Sequence, residues 1–123
     1  MTIKLRTSSV DLNLYGFATE MHYEKRNHKA LSLEDPTASL IIELFYCVVI
    51  SNLERQKKDI IKFEDFFDDI YDLNDGDSTI FNFYKWYLEQ TSAQSELLKD
   101  LVKQDSINEG DNKNNDNVAS EKN

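Results

Sequence analysis

Hydrophobic and polar residues alternate at the start of the chain, with Ile3 and Leu5 set against Lys4 and Arg6, then Val10, Leu12 and Leu14 after Ser8-Ser9. A period of two over short runs predicts one or two strands. A lone hairpin is marginal in water, so these strands are expected to lie on helices or to pair with another subunit. From Tyr15-Gly16 onward, FATEMHYEKRNHKAL is rich in helix formers with irregular apolar spacing, and a helix is predicted there. After a linker at Ser32 to Asp35, Asp35-Pro36 offers a capping carboxylate and then proline at the first helical position. The helix expected from Ala38 to about Gln56 is apolar nearly all round between Leu40 and Ile50, the pattern of a helix enclosed by other elements.

The stretch from Phe63 to Leu88 holds nine of the fourteen aromatics, and seven carboxylates lie between Phe63 and Asp77. At about 100° per residue, Phe66, Ile70, Phe63, Phe67 and Tyr71 share one arc. Glu64, Asp65, Asp68, Asp69 and Asp72 fall opposite, which predicts an amphipathic helix with an aromatic face and a water-facing acidic back. Asn74-Asp75-Gly76 ends it, since Asn and Gly tolerate positive φ, and Asp77 or Ser78 is expected to cap a second helix. There Phe83, Tyr87, Ile80, Tyr84 and Leu88 share a face, while Trp86 stands about 100° from Tyr87. Leu97, Leu98, Leu101 and Val102 resume the helical signal, with Trp86, Gln90, Ala93 and Leu97 as a second stripe. Phe63, Phe67, Ile80, Tyr84 and Tyr87 are expected in the core. Phe66, Phe81 and Trp86 lie off or at the edge of their faces, where they either pack peripherally or form an exposed patch of the kind that marks an interface. The fold expected is mainly α: a small helical domain over residues 1–104, of about four to five helices with a short N-terminal strand or hairpin. Residues 105–123 are polar and Asn-rich, cannot bury enough surface to offset ordering entropy, and are expected to form a disordered C-terminal tail.

Charge narrows the function classes. The net charge of −9 argues against binding a nucleic-acid backbone, which needs clustered Lys and Arg. It suits solubility, a basic partner or imitation of DNA. Residues 1–31 carry five basic and three acidic side chains (+2), whereas 32–104 carry seven and fifteen (−8). The first third is therefore expected to dock on an acidic face of the rest or of a neighbouring subunit. The longest apolar run, Leu40 to Ile50, contains Glu43 and is too short for a bilayer that needs roughly 20 residues. No signal peptide is expected in MTIKLRTSSVDL, which lacks an apolar h-region. A single cysteine, Cys47, allows no internal disulfide and reads as a buried small hydrophobe in a reducing compartment.

Candidate chemistry is sparse. Neither register of Asp72-Leu73-Asn74-Asp75-Gly76-Asp77 fits a calcium loop: glycine at position 6 puts Leu73 and Asn82 at ligand positions, and a start at Asp72 puts Phe83 where a bidentate Glu belongs. His22, His28 and Cys47 do not make a zinc ligand set. No nucleophile elbow or Gly-rich phosphate loop occurs, so neither an enzyme nor a cofactor is expected.

In the order of its parts the chain resembles the tail assembly chaperones of long-tailed phages of Gram-positive, lactococcal-type bacteria. The resemblance rests on Ile3-Lys4-Leu5-Arg6, Leu14-Tyr15-Gly16-Phe17-Ala18-Thr19-Glu20, the apolar helix around Ile41-Ile42-Glu43-Leu44-Phe45, and Phe63-Glu64-Asp65-Phe66-Phe67-Asp68-Asp69-Ile70-Tyr71, followed by a polar tail. Lys62-Phe63 stands where a Ser or Thr cap would precede Glu64-Asp65. The resemblance implies a non-enzymatic, mainly helical protein of the host cytoplasm, absent from the mature virion and self-associating into homo-oligomers. Its partner would be the helical, aromatic-rich tape measure protein, with no nucleic acid and no membrane involved. Phe66, Tyr71, Phe81, Trp86 and Leu97 are the candidate partner-binding residues, in a helix-in-groove mode expected to be insensitive to salt. An alternative from another class is an acidic DNA-mimic inhibitor of a host nucleic-acid-binding protein, whose binding would depend steeply on salt. A third is a structural tail component, which would appear in purified virions.

Overall fold

The structure is a computed structural model that describes residues 1–110, and side chains as far as residue 95. The chain divides into two compact units, Met1–Tyr87 and Leu88–Asn123. Among the described residues there are two strands, β1 (Thr2–Lys4) and β2 (Ser9–Asp11), and four helices, α1 (Gly16–Asn27), α2 (Ala38–Arg55), α3 (Phe63–Asp72) and α4 (Asp77–Gly110). The chain is thus mainly α with an N-terminal hairpin. The compact N-terminal unit closes at Tyr87, short of the expected boundary at 104, with the rest of α4 in the second unit. That helix also outlasts its last apolar pair, Leu101 and Val102: a formed helix adds residues at little cost, so its polar end continues to Gly110. The rest of the expected tail, 111–123, lies outside the described residues.

β1 and β2 pair antiparallel, Ile3 opposite Val10, so that Ile3, Leu5, Val10 and Leu12 all point into the core. The hairpin rests on helices within its own chain, β2 on α2 and β1 on α3. Two asparagines clamp it. Asn52 of α2, fully buried, accepts from the Asn13 backbone N–H at 2.9 Å and donates to the Asn13 carbonyl at 2.8 Å and to that of Val48 at 2.8 Å. Asn74 likewise accepts from the Lys4 N–H at 3.1 Å and donates to the Lys4 carbonyl at 2.9 Å. A primary amide presents a carbonyl acceptor beside an NH2 donor, so each side chain imitates a strand partner at an otherwise open edge.

As its pattern predicts, α2 is the core helix, buried without interruption from Leu44 to Leu53. Phe45 joins three helices, meeting Phe66 edge-on (centroids 5.1 Å, 85°) and stacking on Phe83 (4.2 Å, 5°). Cys47 is fully buried, and desolvation pushes its thiol up to about 12, so it stays protonated at neutral pH. The start of α2 corrects the expectation of an Asp35 cap. Asp35 adopts positive φ (49°), and Thr37 accepts from the Leu40 N–H at 3.1 Å instead. The first helix ends at Asn27 rather than near Leu31, with His28 left-handed behind it (φ 57°).

The basic first third docks on carboxylates of its own chain. Arg26 is bidentate to Glu43 (2.9 Å each) and lies over the rings of Tyr46 (4.6 Å) and Phe63 (5.4 Å). The Arg26 hydrogen bonds are the main reason that Glu43 titrates below its ordinary value of 4.5. With the folded-state value depressed, the unfolded chain takes up this proton first as the solution is acidified. The stabilisation is therefore complete above the ordinary value and is lost as pH falls through the folded one. Glu43→Gln is expected to lower stability at neutral pH and to flatten this acid limb, as read from urea midpoints between about pH 7 and pH 3.

Candidate functional site: an apolar groove at the start of α2

The acidic back predicted for α3 is not all solvated. Asp69 is buried in the core. It accepts from the Arg6 backbone N–H (2.9 Å), from Nε (2.9 Å) and from a terminal guanidinium nitrogen (2.8 Å), with Asp65 at 3.4 Å beside it. Hydrogen bonding to Asp69 raises the Arg6 pKa, so the guanidinium is permanently charged. This contact turns α3 about its axis, and the buried arc runs from Asp69 through Phe66 and Ile70 to Phe63.

That rotation decides which aromatics are available. Phe66, at the edge of its face with peripheral packing and an exposed patch both open, is fully buried against Phe45 and Tyr46, and its place as a partner-binding residue is corrected. Phe67 and Tyr71, on the other flank of the same arc, are pushed out to 39% and 46% exposure. Trp86 is half-buried and packs toward the core, 5.9 Å from Phe83. Phe81, for which peripheral packing and an exposed patch were both open, is 66% exposed. Leu97 lies outside the residues whose side chains are described.

Tyr71 and Phe81 come together on one groove of about 490 Å³, open to solvent. Its floor is the first turn and a half of α2, with Ile41 and Ile42. One wall is Phe67 and Tyr71 of α3, and the other is Ile80, Phe81 and Tyr84 of α4. Phe67, Ile80 and Tyr84 were expected in the core. They sit at its margin because the central arc of each helix is enough to cover α2, leaving the flanking aromatics to line the cleft. Ile41 and Ile42 are the residues that sequence reasoning missed. Their signal was present in α2, which is apolar before the point where enclosing elements reach it.

The turn between α3 and α4 holds one wall in place. Gly76 is left-handed (φ 55°), as predicted for this turn, and donates to the Ile70 carbonyl at 3.0 Å. A Cβ at Gly76 would stand 2.7 Å from Cδ1 of Tyr71, so glycine also makes room for that ring. Asp77 does not cap α4 with its side chain; it accepts the Tyr71 hydroxyl at 2.5 Å, a bond that keeps the phenol proton in place and raises the Tyr71 pKa. The first amides of α4 bond instead to the Asp75 and Gly76 carbonyls.

A more polar hollow of about 350 Å³ between α1 and the linker is lined by Tyr23, Asn27 and Glu43. Two of its side chains are already engaged, Asn27 donating to the Tyr23 backbone carbonyl and Glu43 held by Arg26. On α1, Phe17 (90%) and Met21 (64%) form a second, narrower apolar ridge. Among the described residues no three His, Cys, Asp or Glu side chains are placed to hold a metal ion, and no helix is long and apolar enough to cross a membrane. Comparison of the chain with family models, with characterised proteins and with solved structures finds no match.

Proposed function

We propose that this chain is a non-catalytic tail assembly chaperone. It keeps the helical, aromatic-rich tape measure protein of a phage tail in solution by taking that protein's apolar positions into the groove. The observation that carries this reading is the groove itself, where Tyr71 and Phe81 stay exposed on elements fixed by a left-handed glycine. A largely apolar groove of this volume has the size of a site that takes a ligand or a partner's side chains. In this reading the protein self-associates, works in the host cytoplasm and is absent from the finished virion. The acidic-mimic alternative draws less support, because two of the carboxylates it would display, Asp65 and Asp69, are turned to Arg6.

The test is light scattering after size exclusion over a concentration series, alone and with a co-expressed tape measure fragment. Wild type is compared with Phe81→Ala, since Trp86 is packed on the core and its removal would confuse binding with folding. Assemblies are expected in both proteins, whereas soluble client complexes are expected in wild type and are expected to fall severalfold in the variant, which loses a groove side chain. A 14.4 kDa monomer in both proteins, with no effect on client solubility, would overturn the chaperone reading. Detection of the chain in purified virions would favour a structural tail component.

A further inference from the structure

We infer, resting on the groove reading above, that the groove's partner is a helical segment whose apolar stripe is flanked by lysine or arginine, and not a second copy of this chain. The α3 wall presents Phe67 and Tyr71. On its solvent side, at about 100° per residue, Glu64, Asp68 and Asp72 follow as a stripe at i, i+4 and i+8. All three are exposed, and none makes an ion pair among the described residues. Asp77 lies in the groove lining itself. Against these four carboxylates, α4 offers Lys85, one turn beyond Phe81. The α2 floor adds no charge, being Ala38, Ser39, Ile41 and Ile42. Asp77 is held by the Tyr71 hydroxyl and Asp68 lies within reach of the Arg6 charge, but the edge stays net negative. Such a cleft discriminates by charge: a cationic flank gains attraction along the α3 edge, and an anionic one is repelled.

Charge also excludes the chain's own α1 ridge as the occupant. Phe17 and Met21 are the most exposed apolar pair at helical spacing, and they carry Glu20 and Glu24 against a single Lys25 on adjoining positions. Seating α1 of one copy in the groove of another would bring like charges together. The groove is thus left for a partner of opposite flank, with self-association assigned to other surfaces.

The experiment uses the full chain and two helical peptides of roughly 20 residues, long enough to hold a helix. Both carry the same leucine and phenylalanine stripe, flanked in one by lysine and in the other by glutamate, and binding is followed by fluorescence anisotropy. The lysine-flanked peptide is expected to bind about tenfold more tightly at low salt, from about three exposed charge pairs. The gap is expected to close to within about twofold at ~0.5 M salt, where the screening length is a few ångströms; the exposed carboxylates beside the groove thus replace the salt-insensitive binding expected from the sequence pattern with a salt-dependent preference. The triple variant Glu64→Gln, Asp68→Asn, Asp72→Asn is expected to remove the preference, while Phe81→Ala weakens both peptides alike. Equal binding of the two peptides, still lost in Phe81→Ala, would overturn charge selection and leave the groove reading standing. A preference that survives the triple variant would also overturn it. Failure of both peptides to bind, or binding indifferent to Phe81→Ala, would overturn the groove reading and this inference with it.

Discussion

Phe45→Ala is expected to leave the Met1–Tyr87 unit largely unfolded at room temperature, with loss of cooperative thermal unfolding in circular dichroism. Among the described residues, Phe45 is the one side chain that touches aromatic rings of both α3 and α4 from the core helix. Truncating a buried phenylalanine removes its transfer free energy and leaves a cavity, about 3–5 kcal/mol together. Two ring–ring contacts are lost in the same step, which places the cost toward the upper end of that range. Domains of this size have on the order of 5–15 kcal/mol in total, so one substitution consumes much of the margin. Phe81→Ala is the control: Phe81 is mostly exposed, and its loss is expected to leave the unfolding midpoint within about 0.5 kcal/mol of wild type. A folded, cooperative Phe45→Ala protein would mean that α3 and α4 do not depend on α2 for their positions.

Asn52→Asp is expected to be nearly as damaging, although it changes the side chain's shape hardly at all. The amide nitrogen of Asn52 donates to the carbonyls of Asn13 and Val48. A carboxylate oxygen in its place would face both carbonyls with no proton between them, inside the protein. An uncompensated buried charge costs about 3–5 kcal/mol at neutral pH. The sign of the pH effect is fixed by the same geometry. Burial and the facing carbonyls raise the folded-state pKa of the introduced carboxyl, so its protonation favours the folded chain and restores one donor. The deficit relative to wild type should therefore shrink as pH falls toward about 4 and be full above the raised value, which paired urea titrations would read directly. A deficit that does not vary with pH would mean that the site admits water.

How much of this was legible depends on the distance over which each feature is decided. The core role of α2, the burial of Cys47 and the left-handed turn at Gly76 follow from residues near one another in the chain, and the structure has them as the pattern predicts. The rotation of α3 is decided by Arg6, some sixty residues away, so no window around Phe63 could have assigned Phe66 to the core and Phe67 to the surface. The Asn52 and Asn74 clamps are similarly remote from the backbone they bind. Thr37 outcompetes Asp35 as a cap because the chain reaches helical geometry only after Pro36, a matter of one or two residues. The groove was half visible. Phe81 stood out as an aromatic off its face and Tyr71 as a candidate partner-binding residue on the α3 arc, whereas Ile41 and Ile42 look like any core residue until the enclosing elements are seen to fall short of them.

One continuous helix floors the groove with its first turns and fills the core with the rest. A partner seated on Ile41 and Ile42 holds the end of the element on which everything else packs, and it binds the folded chain alone. Occupancy then adds to folding stability as RT ln(1 + [L]/Kd), about 2.7 kcal/mol at a hundredfold excess over Kd. The lifetime of the protein in a cell would follow the supply of its partner. A chain whose partner has been used up returns to its unassisted stability and becomes the form that proteases clear first.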